Sequence, residues 1–166
     1  VGYSETMSER SSGSVAMSSV RVAIVEDSAI IRKRLVELVE DIGGMDVVGE
    51  ASTEKAAIRV CRESHPSVVI LDMQLELGNG LGVLRTMQYG PSGAKPAARY
   101  EDGVEFAHTQ GLVGLIKPTI IVLTNFPSPS VERAAKLLGA DAFLDKSKEF
   151  HKLRPLLQAA AEAQAA

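Results

Sequence analysis

The stretch Pro66 to Gly80, Pro-Ser-Val-Val-Ile-Leu-Asp-Met-Gln-Leu-Glu-Leu-Gly-Asn-Gly, constrains the fold of this chain most. Val68 to Leu71 is apolar at every position. A strand without polar alternation is buried on both faces, as in a parallel sheet covered by helices on each side. Pro66 breaks the helical pattern before it, and Gly78-Asn79-Gly80 marks a turn before the next apolar period. The run delivers one carboxylate, Asp72, at its carboxyl end. Ligands of open α/β sheets bind outside that end of the strands, which makes Asp72 a candidate site residue. An ordinary helix-capping aspartate is the competing reading of the same position.

Strand and helix patterns alternate along the rest of the chain. The β-branched run Val20 to Val25 ends in Glu26-Asp27-Ser28. Ser28 is an N-cap for a helix with Ile30, Ile31, Leu35, Leu38, Val39 and Ile42 on its inner side. Gly43-Gly44 stops it, Met45 to Gly49 forms a second strand, and Thr53 caps a second helix through Arg62. A third helix runs from Gly80 to Met87, and a fourth strand from Thr119 to Thr124. Pro127 and Pro129 lead into a helix over Ser130 to Leu138, closed by Gly139. Ala142 to Leu144 is a fifth strand ending at Asp145-Lys146, and Ser147 caps a last helix carrying Phe150, Leu153, Leu156 and Leu157. Such alternation predicts parallel strands joined by right-handed crossovers. The fold class is α/β, a flavodoxin-like doubly wound five-stranded sheet in the order 2-1-3-4-5 with helices on both faces.

Residues 1–19, rich in Ser and Gly, are expected to be a disordered tail, residues 20–157 one domain, and residues 158–166 an Ala-rich tail. Between the third helix and the fourth strand, residues 88–117 far exceed the ~2–6 residues usual for an α/β loop and read as an insertion. Val104 to Ile116 is apolar enough for a short helix packed on the body. A helix-to-strand connection lies at the amino ends of the strands, opposite Asp72, so the insertion is a surface excursion or a partner or homodimer surface.

The 18 basic and 21 acidic residues give a net charge of −3. No clustered basic face of the kind nucleic acid requires is present, and no nucleic-acid partner is expected. Arg32-Lys33-Arg34 reads as the solvated face of the first helix. Cys61 is the only cysteine, which excludes an intramolecular disulfide and leaves it as a small core residue. No run approaches the ~20 apolar residues of a membrane span, and residues 1–19 lack a signal-peptide hydrophobic region. A cytoplasmic location without membrane association is the expectation.

The strand ends form a constellation. The first strand ends in Glu26-Asp27, the third in Asp72, the fourth in Thr124 and the fifth in Lys146, all at one edge of a parallel sheet. Carboxylates so close repel one another and raise each other's pKa. A hard divalent cation with oxygen ligands, Mg²⁺, resolves that conflict. An ammonium and a hydroxyl opposite complete a pocket for a phosphoryl group's oxygens, with Asp72 as the nucleophile. Singly, Thr124 reads as a helix cap, Lys146 as a surface charge and Glu26-Asp27 as an acidic first turn.

Together these residues resemble a receiver (CheY-like) domain of a bacterial two-component response regulator. The resemblance is carried by Val-Ala-Ile-Val-Glu26-Asp27-Ser28, Val-Val-Ile-Leu-Asp72-Met-Gln-Leu with Gly80, Ile-Ile-Val-Leu-Thr124, and Gly139-Ala-Asp-Ala-Phe143-Leu-Asp-Lys146-Ser. It implies that Asp72 accepts phosphate from a sensor histidine kinase or a histidine phosphotransfer protein. It further implies that Asp27, Asp72 and the Gln74 backbone carbonyl hold Mg²⁺, with Glu26 acting through a water. Lys146 would pair with the acyl phosphate, Thr124 would swing to a phosphate oxygen, and Phe143 would rotate inward, presenting a changed surface to a downstream protein target. Three positions depart from the family pattern. Glu76 and Ser147 stand where proline is common, and Asn125 where a small residue is common. No output domain follows Leu157, so the chain reads as a stand-alone receiver or a fragment of a longer regulator. An aspartyl-phosphate phosphatase or phosphotransferase, or a receiver-like module that binds partners without phosphate, are the alternatives. Asp72-Met73-Gln74 lacks the second acid that the phosphatase alternative needs.

Overall fold

The structure is a computed structural model and describes residues 19–90, 99–101, 104–106 and 117–165. The elements in chain order are β1 (Val20–Val25), α1 (Ala29–Glu40), β2 (Met45–Ala51), α2 (Glu54–Ser64), β3 (Val68–Leu71) and α3 (Gly80–Tyr89). Then come β4 (Arg99–Glu101), β5 (Val104–Phe106), β6 (Thr119–Thr124), α4 (Pro129–Leu137), β7 (Ala142–Asp145), a 3-10 turn (Phe150–Lys152) and α5 (Leu153–Ala165). Five strands form one parallel sheet in the order β2-β1-β3-β6-β7, the expected 2-1-3-4-5.

Both faces of the central strands are apolar because both are covered. Val22, Ile24, Val68, Ile70, Ile121 and Leu123 point to one face, under Leu35 and Val39 of α1 and Leu153 and Leu157 of α5. The alternate residues Ala23, Val25, Val69, Leu71, Ile120 and Val122 point to the other, under α2, α3 and α4. This is why β3 shows no polar alternation: each period-2 set has its own helical layer. Cys61 is buried in the second layer, where loss of solvation pushes its thiol up to about 11. Ser28 and Thr53 cap α1 and α2 as expected, each side-chain oxygen accepting a backbone N–H from three residues on.

Several expectations are corrected. Ile30 is 71% exposed, because the inner stripe of α1 runs through Ile31, Leu35 and Val39 and leaves Ile30 beside it on the solvent side. Ser147 does not cap the last helix. Its hydroxyl and amide both donate to the Asp145 carboxylate, at 2.6 and 2.9 Å, and α5 starts only at Leu153. A local side-chain acceptor of this kind competes with the first helical turn. Residues 158–165, expected as tail, are helical, and Ala160 packs on the α1/α5 layer. Alanine's low cost in a helix accounts for the continuation. Val104–Phe106 pairs antiparallel with Arg99–Glu101 instead of opening a helix. The rest of that expected helix, 107–116, and residues 1–18 of the expected tail lie outside the described residues.

Candidate functional site at the carboxyl edge of the sheet

Strand register sets the site. Val25 lies opposite Leu71, Leu71 opposite Val122, and Thr124 opposite Asp145. The residues at and just past these ends, Glu26-Asp27, Asp72, Thr124 and Lys146, therefore share one edge. Two backbone bonds fasten them there, from the Asp72 N–H to the Val25 carbonyl (2.9 Å) and from the Lys146 N–H to the Thr124 carbonyl (2.8 Å).

The centre of the site is Lys146. Its Nζ donates to Glu26 Oε2 and to Asp72 Oδ2, both at 2.7 Å, and all three side chains are nearly fully buried. Burial pulls the Lys146 pKa down, but its bonds to Asp72 and Glu26 outweigh that and hold it above the ordinary 10.5. The lysine is thus charged throughout the range in which carboxylates ionise. Burial raises the Glu26 carboxyl, an effect that Lys146 only partly offsets and that neighbouring Asp72 reinforces. Asp27 is exposed beside this pair, and one oxygen each of Glu26, Asp27 and Asp72 lie within 4.8 Å of one another. Three carboxylates around one ammonium leave excess negative charge in a small volume. An all-oxygen donor set of that kind fits a hard divalent cation.

The other expected residues are placed as follows. Thr124 is fully buried, and its hydroxyl accepts the Phe126 N–H at 3.4 Å. Gln74 turns its side chain to solvent while its backbone N–H donates to Asp72 Oδ1 at 3.2 Å. Phe143 is half-buried and packs in the layer of α2, α3 and α4. Asn125 is exposed at the rim.

Arg32 was not anticipated. It was expected on a solvated helix face with Lys33 and Arg34, yet its guanidinium donates to the Glu26 carbonyl at 2.7 Å and pairs with Glu50 at 3.3 Å. It straps the loop that carries the acid pair. Its place one helical turn beyond Ser28, the cap of α1, is the sequence signal that would have found it. Asp145 was missed too. Its carboxylate accepts from Ser147 and Lys148 and is held below the usual range, chiefly by the Ser147 hydroxyl.

Residues 22–95 match the family model described as the response regulator receiver domain. The chain is 31% identical over 124 residues to protein-glutamate methylesterase/protein-glutamine glutaminase 5 of Myxococcus xanthus, covering 74% of this chain and 35% of that protein. It is 31% identical over 68 residues to the response regulator GacA of Pseudomonas viridiflava, covering 41% of this chain and 32% of that one. Among solved structures, the response regulator domain of Thermotoga maritima CheB superposes with a TM-score of 0.63 at 21% identity, over 89% of this chain and 98% of that one. The chain spans only 35% and 32% of the two curated relatives.

Proposed function

The chain carries a response regulator receiver domain, and on that premise we propose that Asp72 is the phosphoacceptor of a two-component phosphorelay. The observation that carries this is the Lys146 ammonium held 2.7 Å from both Asp72 and Glu26, beside exposed Asp27. Glu26, Asp27, Asp72 and the Gln74 carbonyl would hold Mg²⁺, which supplies positive charge to the oxygens of a phosphoryl group in transfer. An Asp72 carboxylate oxygen attacks phosphorus in line. The new O–P bond forms as the N–P bond of a phosphohistidine breaks, and the imidazole leaves to the donor kinase or phosphotransfer protein. Lys146 follows the developing charge from its place on Asp72. The only chemistry assigned to this chain is the gain and loss of that phosphoryl group.

Signalling follows from Thr124. To bond a phosphoryl oxygen, its hydroxyl gives up the Phe126 N–H and reorders the loop before α4. Phe143 then moves further into its layer, and the surface of α4, β7 and α5 is offered to a downstream protein in one state only. The receiver runs from β1 through α5, past the expected boundary at residue 157, and the 88–117 insertion is proposed as a surface for homodimer contacts. A phosphatase using the same aspartyl chemistry is disfavoured because Gln74, two residues past Asp72, is no acid.

Beryllofluoride with Mg²⁺, which mimics the acyl phosphate, is expected to shift the amide resonances of Thr124, Phe143 and α4. Shifts confined to residues 26–28 and 72–74 would contradict the switch.

A further inference from the structure

The loop after Asp72 is anchored in the sheet at one end and by a different element at the other. Asp72 is fixed by β1, whereas residues 76–79 are tied to the turn that opens α2. The Glu54 N–H donates to the Leu77 carbonyl at 2.9 Å, and the Asn79 N–H donates to Glu54 Oε2 at 2.9 Å. Alongside, the Glu76 N–H donates to the Ser52 carbonyl and the Ser52 hydroxyl to Glu76 Oε2, both at 3.0 Å.

The space around Glu54 is built to match. A Cβ on Gly78 would fall 2.5 Å from the Glu54 Cβ, and one on Gly82 would overlap the Glu54 carboxylate. Gly78 also adopts φ +85°, a conformation that side-chain-bearing residues rarely take. Asn79 lies opposite Gln74 in an antiparallel bridge, where the neighbouring Gly80 N–H donates to the Met73 carbonyl at 3.0 Å, and the Gln74 N–H donates to Asp72 Oδ1. Glu54 is thus joined to the phosphoacceptor by hydrogen bonds at Leu77, Asn79 and Gln74 and by the bridge pairing between the two sides of the loop.

We propose that Glu54 is a positioning residue for the phosphoacceptor loop: by holding Asn79 it sets the Gln74 backbone, which orients Asp72 and faces the cation. This rests on the reading of Asp72 and its Mg²⁺ given above. Glu76, at a position where the family often has proline, takes part in the same fastening.

Three variants separate reach from charge. Glu54→Gln keeps an acceptor at full length, Glu54→Asp keeps the charge and the helix-opening acid but is too short for Asn79, and Glu54→Ala keeps neither. Calorimetric titration with Mg²⁺ is expected to show about tenfold weaker affinity in the Asp and Ala variants, the lower range for loss of a group that orients metal ligands. The Gln variant is expected to match the parent. In the metal-free protein, amide exchange at Asn79 should accelerate in the same two variants only. Parent-like Mg²⁺ affinity in Glu54→Asp, or unchanged Asn79 exchange, would overturn the proposal. If Glu54→Ala fails to fold, the Asp and Gln pair decides it alone. A parent that binds Mg²⁺ but takes no phosphate from acetyl phosphate would refute the phosphoacceptor reading, while the exchange data would still judge the Glu54 contact.

Discussion

Lys146→Met is expected to lose phosphate uptake from acetyl phosphate by about 10²–10³-fold, the scale for removing one preorganised charge-stabilising donor. The same change should cost stability, because it leaves Glu26 and Asp72 buried together with no counter-charge. Breaking a buried ion pair by removing one partner costs about 3–5 kcal/mol. The sign with pH follows from the shifts. Lys146 is raised above 10.5, so its contribution to the parent is complete at neutral pH and disappears only as pH rises through that elevated value. Glu26, already raised by burial, goes higher still without the lysine, and on acidification it protonates and relieves the repulsion in the variant. Urea denaturation without Mg²⁺ should therefore show the largest deficit at neutral pH and a smaller one at mildly acidic pH. A deficit independent of pH would contradict this electrostatic origin.

Gly80→Ala is expected to damage both the fold and the site by a purely steric route. A Cβ at this position would stand 2.5 Å from the Asp72 carbonyl oxygen and 3.0 Å from the Met73 Cα. These are backbone atoms at the end of β3, and they cannot turn aside as a side chain would. Gly80 also donates its N–H to the Met73 carbonyl at 3.0 Å, so the two segments cannot separate without losing that bond. Overpacking of this kind costs about 1–3 kcal/mol. Because the strain falls on the peptide that carries Asp72, phosphorylation should slow more than it does in a surface variant of equal stability. Thermal unfolding and the rate of phosphate uptake, measured on the same samples, check this. A variant as stable and as reactive as the parent would show that the approach of α3 to the loop is not tight.

Much of this was legible in the residues because it depends on local pattern. Val68–Leu71 and Thr119–Thr124 declare burial on both faces, and Ser28 and Thr53 declare helix starts. A parallel sheet then brings Glu26, Asp27, Asp72, Thr124 and Lys146 to one edge without further information. What escaped depends on contacts between distant residues. Nothing in Thr53-Glu54-Lys55 announces a partner 25 positions away at Asn79, and Arg32 looks like its solvated neighbours until the loop beside it is built. Ser147 was misread because its hydroxyl and amide donate to the Asp145 carboxylate two residues back, a local contact that a cap motif does not reveal. Ile30 was misread because a helix with adjacent apolar positions can bury either edge of its stripe.

The central claim is that Asp72 receives the phosphoryl group. Intact-mass measurement of the parent and of Asp72→Ala, each incubated with acetyl phosphate and Mg²⁺, tests it most directly. The parent should gain the mass of one phosphoryl group, lose that gain when the metal is chelated beforehand, and show no gain in the variant. Phosphate carried by Asp72→Ala at the level of the parent would contradict the account.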